Sequence, residues 1–232
     1  MKRRFFLQSI FALFLITLIC SCGAEVGGDD EEGSGLHDSF NYTSFPSGPW
    51  NLYSGSQDNW TISTSGTPTV KSAFLSVPTS TTSTQNSYFI NDNYNKGVDC
   101  TVFAKMRILD AGTGTLGLLL RVTGLNGYYS LKYNVTDNQL VIHKYISSNH
   151  YSLATSPTLT GFTPASDHVY KFKISGTSPI VLTGSIDGFP SSLITYTDNG
   201  SQGGGVHLFG KPGFLFDAAN SGYVTDFRVT EP

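Results

Sequence analysis

From residue 36 onward, apolar and polar residues alternate with a period of two, and no window carries the i, i+3, i+4, i+7 spacing of an amphipathic helix. The run Val98–Ile108 (VDCTVFAKMRI) shows the alternation well, placing Val98, Cys100, Val102, Ala104, Met106 and Ile108 on a buried face. The same pattern predicts strands over 115–123, 128–135, 139–146, 169–175, 180–186, 205–209 and 223–230, separated by clusters of Gly, Asn, Asp and Pro. Thr136-Asp137-Asn138 and Asp187-Gly188 read as tight hairpin turns, because Asn, Asp and Gly tolerate the positive φ such turns demand. Leu116–Leu120 is apolar at nearly every position, which suggests a strand in mid-sheet that is covered on both faces. Residues 78–85, rich in Ser and Thr and without large apolar side chains, read as an exposed loop. The chain is therefore expected to be all-β and antiparallel.

The first residues follow a different logic. Met1-Lys2-Arg3-Arg4 is positively charged, and Phe5–Ile19 is apolar but short of the roughly 20 residues that spanning a bilayer needs. The next stretch, Ile19-Cys20-Ser21-Cys22-Gly23, resembles a bacterial lipobox, with an aliphatic residue at −3, a small one at −1 and the lipidated cysteine first in the mature chain. Cys22 fits best; Cys20 is the rival but would put the bulky Ile19 beside the cut, and an uncleaved anchor helix is the other alternative. Residues 1–21 are read as a signal peptide, and Cys22 as a site whose several acyl chains hold the protein to a membrane. Gly23 in place of an aspartate favours the outer membrane. Residues 22–35 combine glycine with the like charges Asp29, Asp30, Glu31 and Glu32 and are expected to be a flexible acidic tether. About 195 residues remain, 36–232, enough for one β domain with a proper core.

Charge changes the picture little. The net charge of −3 sits largely in the tether, and no sustained basic run or Lys/Arg-rich amphipathic helix suggests binding to nucleic acid or to a membrane by the domain itself. Cys100 is the one cysteine outside the signal region, so no intrachain disulfide staples the domain. Its place among core residues marks it as an inert buried thiol. The Asn-x-Ser/Thr triplets at Asn41, Asn59, Asn134 and Asn199 are what a composition rich in Asn, Ser and Thr produces.

Asp38-Ser39-Phe40, Trp50 and Trp60, Leu118-Leu119-Leu120-Arg121, Gly127-Tyr128-Tyr129-Ser130-Leu131 and Leu140-Val141-Ile142 follow in an order that resembles the concanavalin A-like lectin/glucanase superfamily in its laminin G-like bacterial branch. The likeness continues through Tyr170–Ile174, Ser185–Gly188, Gly203–Gly205 and Tyr223–Val229, and so covers nearly the whole domain. The resemblance implies a jelly roll of two antiparallel sheets whose first and last strands lie close together, bringing Phe40 near Phe227. It also implies a lectin-like role, binding a carbohydrate or a glycosylated or matrix partner, which the lipid on Cys22 would place at the cell envelope.

Catalysis in the glucanase members rests on clustered carboxylates, typically Glu-x-Asp-x-x-Glu, and this chain carries no such motif; its glutamates are Glu25, Glu31, Glu32 and Glu231. No catalytic residue is assigned. A hydrolase or lyase with a relocated site, and an envelope protein without ligand, are the alternatives. The histidines lack zinc spacing. Family members often hold calcium at the sandwich rim, for which Asp38, Asp187, Asp217 and Asp226 are the candidates, although an aspartate beside glycine or at a strand end is ordinarily a turn former.

Sugar binding needs an aromatic ring to stack on a pyranose and fixed polar groups to read its hydroxyls. With Leu118, Leu120 and Val122 inward, Arg121 points out; with Tyr129, Leu131 and Tyr133 inward, Tyr128, Lys132 and Asn134 point out; with Leu140 and Ile142 inward, His143 and Tyr145 point out. These six form the expected ligand patch. Cross-strand aromatics also stabilise sheets without any ligand, and a register slip of one residue would exchange the faces.

Overall fold

A computed structural model describes residues 35–40, 48–54, 60–65, 70–75, 87–92, 94, 99–108, 114–124, 127–216 and 222–232, all within one unit, Gly33–Pro232. The signal peptide, Cys22 and most of the tether lie outside the described residues, as do Val98, Asp217, the loop expected over 78–85 and the Trp60 side chain.

Among the described residues the chain forms fifteen strands: β1 (Leu36–Asp38), β2 (Trp50–Ser54), β3 (Trp60–Ser65), β4 (Val70–Leu75), β5 (Ser87–Asn91), β6 (Cys100–Ile108), β7 (Thr115–Gly124), β8 (Gly127–Asn134), β9 (Gln139–Ile146), β10 (Asn149–Thr155), β11 (His168–Ser175), β12 (Ile180–Ile186), β13 (Phe189–Asp198), β14 (Lys211–Phe216) and β15 (Gly222–Thr230). They make two antiparallel sheets. One runs β13-β12-β11-β6-β15-β4-β3, with β1 added against β15 as its eighth strand; the other runs β10-β9-β8-β7-β14-β5-β2. The inner faces pack on each other and polar residues alternate outward, as a two-sheet sandwich requires.

Strand β6 buries every second residue from Cys100 to Ile108. The uniformly apolar β7 is the central strand of its sheet and is buried over nearly its whole length. The expected hairpins form, with Asn138 at φ 51° and Gly188 at φ 80°. One expected strand is displaced: 205–209 is irregular, and the chain becomes a strand only at Lys211. Pro212 and Gly213 look like strand breakers, yet a register shift between Lys211 and Gly213 lets the proline enter without a ladder hydrogen bond of its own. Strands β10 and β13 were not anticipated. The first is mostly exposed, which blurs its alternation, and the second opens on the loop-like Phe189-Pro190-Ser191-Ser192.

The two ends of the domain meet as expected: β1 pairs with β15, with Asp38 opposite Phe227. There the sheets are joined by an aromatic block. Trp50 stacks on Phe40 (5.5 Å between ring centroids), meets Phe214 at 4.9 Å and takes Phe227 edge-on at 4.8 Å. Buried Asp38 fixes the indole, accepting from Trp50 Nε1 at 2.6 Å and from the Phe40 backbone N at 2.7 Å. Phe214 touches Phe40, Trp50, Phe89, Phe216 and Phe227, so Phe214→Ala should cost about 3–5 kcal/mol in urea unfolding. Burial pushes the Cys100 thiol up to about 11. In a Cys20→Ser/Cys22→Ser chain, alkylating reagent at pH 8 should therefore leave Cys100 unlabelled until denaturant is added.

Candidate functional site

The register places five of the six expected patch residues on one face. Tyr128 lies opposite Tyr145, Ser130 opposite His143, Lys132 opposite Val141 and Asn134 opposite Gln139, while the residues between them, Tyr129, Leu131, Tyr133, Leu140 and Ile142, belong to the core. This is the outer face of the seven-stranded sheet. Its floor is a second apolar cluster of Ile90, Leu119, Val122, Tyr128 and Leu215, with Tyr88 and Tyr145 packed against it.

Aromatic rings run across this floor in a strip. Tyr88 meets Tyr128 at 5.9 Å, Tyr128 stacks on Tyr145 at 5.0 Å, and Tyr145 meets His150 at 4.3 Å. Neighbouring strands lie about 4.8 Å apart, which puts the β5 and β8 backbones about 14 Å from each other. Tyr88 and Tyr128 therefore lean toward each other over the strands between. Beside the strip, Ser130 Oγ and His143 Nδ1 are buried without a protein partner. Burial, with Lys132 and His150 nearby, pulls the His143 imidazole down to about 4 and lowers His150 as well. Asn134 is occupied at the far end of the patch, donating to Asp137 at 2.6 Å.

Arg121 is a correction. It does not face outward but is 1% exposed, with its guanidinium turned into the end of the sandwich. The cause is a bulge: Arg121 sits at φ 50°, and the β7–β8 register shifts between Leu120 and Gly124. The extra residue sends Arg121 inward and swings Val122, expected in the core, to the outer face with Leu119. Arg121 donates to His207 O at 2.9 Å and to Gly176 O at 3.0 Å, and lies 3.6 Å from Asp99.

Arg121 belongs to a buried polar layer that sequence reasoning missed. Lys144 and Asp198, both with fully buried side chains, pair at 2.9 Å; Asp198 also accepts from Tyr129 OH at 2.6 Å and from Gly200 N at 2.9 Å. Lys144 also donates to Gln202 O at 2.7 Å and to Gly205 O. His207 Nε2 donates to Tyr145 O at 2.7 Å. These bonds strap residues 199–210 across the ends of β7, β8 and β9, the end at which Tyr128 and Tyr145 stand. Contacts are tight enough that a Cβ on Gly127 would lie 2.7 Å from the His207 ring, and one on Gly210, at φ 140°, would run into the Arg121 backbone. The one sequence signal was period-two alternation in β9, which puts Lys144 on the core side of its strand.

The three described calcium candidates do not converge. Asp38 is engaged by Trp50 and Phe40, and Asp226 by His37 at 2.7 Å and Arg228 at 2.8 Å, while Asp187 sits in the exposed β12–β13 turn. Among the described residues no three His, Cys, Asp or Glu side chains come together to hold a metal ion.

Two outcomes follow. Lys144→Met leaves Asp198 buried without its cation and should cost about 3–5 kcal/mol, part of which Asp198→Asn in the same chain should restore. His143 is held below its unfolded value of 6.5, so its contribution is present above that pH. It is lost as pH falls from about 6.5 to about 4, where the unfolded chain takes up a proton that the folded one resists. Histidine NMR titration should show a neutral His143 at pH 6, and a His143→Gln chain should lose less stability between pH 6.5 and 4; an ordinary midpoint near 6.5 contradicts the assignment.

The sequence matches no protein-family model and no curated protein. Its fold has solved counterparts. A carbohydrate-binding module, CBM66, from Bacillus subtilis superposes with a TM-score of 0.57 at 16% identity, over 79% of this chain and 96% of the module. A Bacillus subtilis protein of unknown function with a galectin-like fold gives 0.55 at 15% identity, over 78% and 89%. Arcelin-5, a lectin-like defence protein from Phaseolus vulgaris, gives 0.53 at 9% identity, over 84% and 96%. Sheet order, strand register and these likenesses together establish that the chain has the concanavalin A-like jelly-roll fold.

Proposed function

We propose that the domain is a carbohydrate-binding module held at the cell envelope by lipid on Cys22, and that it takes a glycan on the outer face of the seven-stranded sheet. The observation that carries this reading is the strip Tyr88–Tyr128–Tyr145–His150 beside the unpartnered polar atoms of Ser130 and His143. The partly exposed rings of Tyr88 and Tyr145 and the exposed His150 can receive the apolar face of a pyranose, while the buried Ser130 Oγ and His143 Nδ1 meet its hydroxyls only if the side chains around them shift. Lys132 adds a cation to the same face. Arg121 has no direct part in this site; it strengthens the strap at its rim. The fold shared with the carbohydrate-binding module CBM66 supports the reading by analogy.

Binding rather than turnover is favoured because the sequence carries no Glu-x-Asp-x-x-Glu cluster, and among the described residues Asp92 is engaged by Lys211 and Asn51 and Asp137 by Asn134. The test is a glycan array probed with the purified full-length protein, followed by calorimetry on any hit. Tyr145→Ala should weaken binding about tenfold, and Tyr128→Ala/Tyr145→Ala/His143→Ala should abolish it while far-UV circular dichroism stays unchanged. Intact binding in the triple variant sinks the proposed face. Release of reducing ends from a polysaccharide panel would replace this reading with an enzymatic one.

A further inference from the structure

The outer face of the other sheet has a different character. On three adjacent strands, β11, β6 and β15, the outward positions hold Lys171 and Lys173, Lys105 and Arg107, and Arg228. Lys171 lies opposite Phe103, which in turn lies opposite Arg228; Lys105 lies opposite Val169 on the neighbouring strand. Among the described residues two carboxylates answer these five cations. Asp167 is 3.5 Å from Lys105 and 3.6 Å from Arg107, and Asp226 is 2.8 Å from Arg228. Among the described residues this face therefore carries a net charge of +3, in a chain whose net charge is −3. Lys171 rests over the Phe103 ring at 5.1 Å, and Lys173 is exposed. At the edge of the same face Leu193 stands 61% exposed between the buried Ser192 and Ile194.

We propose that this face docks on an anionic lipid surface, with headgroup phosphates against Lys105, Lys171 and Lys173 and with Leu193 entering the headgroup layer. Charge complementarity carries the assignment. Cations distributed over a broad sheet face, with an exposed aliphatic side chain beside them, match a two-dimensional array of phosphates. A single acidic polymer chain is better served by a groove. Periodicity hid the patch from linear inspection, because its cations come from strands far apart in sequence. Docking here turns the opposite sheet, with its aromatic strip, away from the membrane, and it does not depend on whether that strip binds sugar.

The test uses the full-length chain with Cys20→Ser and Cys22→Ser, reconstituted with vesicles and carrying an environment-sensitive dye at Leu193→Cys or, separately, at His150→Cys. On phosphatidylcholine vesicles containing phosphatidylglycerol, the dye at 193 should shift to the blue and the dye at 150 should not; on phosphatidylcholine alone neither should shift. Each lysine near an anionic surface multiplies docking by about fivefold, so Lys105→Gln/Lys171→Gln/Lys173→Gln should lower the docked-to-undocked ratio about a hundredfold. Raising the salt on the unsubstituted lysine face should reverse the shift in the same way, which keeps the test valid if the triple variant folds poorly. Equal shifts on neutral and anionic vesicles, or a shift at 150 instead of 193, overturn the proposal. So does a shift at 193 with soluble dextran sulfate but not with anionic vesicles, which would make the face a polyanion site.

Discussion

The sandwich depends on the contact between Asp38, Trp50 and the rings around them. No disulfide ties the sheets, since Cys100 is a free, buried thiol. Phe40 and Phe227 come from the side of the eight-stranded sheet and Trp50 and Phe214 from the seven-stranded one, and the carboxylate of Asp38 fixes the indole between them. Because β1 closes onto β15 at this point, the same contact brings the two ends of the domain together. With that block in place, the strands of each sheet hold their register, and each sheet keeps one face for the core and one for the outside.

Polar groups at the far end of the core have a different role. A buried pair such as Lys144–Asp198 contributes little net stability against a well-packed apolar substitute, but it is intolerant of losing one partner. Here it fixes residues 199–210 in one arrangement, with Tyr129, Arg121 and His207 completing the hydrogen bonds. The strap borders the end of the sheet where Tyr128 and Tyr145 stand, so the aromatic strip is edged by a segment held through buried hydrogen bonds.

Period-two alternation made most of the fold legible. It placed β6, β9 and β12 nearly to the residue, and it put Tyr128, Lys132, Asn134, His143 and Tyr145 on the face where the register now sets them. It failed where the backbone departs from regular pleating. A bulge at Arg121 reverses the side-chain parity of β7, and nothing in Leu120-Arg121-Val122 announces a left-handed residue there. Pro212 and Gly213 concealed β14 for a related reason: a central strand tolerates a proline only at an irregularity, and pairing with β5 and β7 determines where one occurs. The Lys144–Asp198 pair joins residues remote in sequence, and although alternation puts Lys144 on the core side of β9, nothing marks an aspartate at a strand end as its buried partner.

The two outer faces differ in physical character: aromatic and lined with unpartnered polar atoms on the seven-stranded sheet, cationic on the eight-stranded one. The central claim is that the first of these is the ligand face. Its most direct measurement is amide and side-chain chemical-shift mapping of the full-length protein titrated with an oligosaccharide it binds. Shifts concentrated at Tyr88, Tyr128, Ser130, His143, Tyr145 and His150 are the predicted result. Shifts concentrated on Lys105, Lys171 and Lys173 of the opposite sheet, with the aromatic strip unmoved, would contradict it.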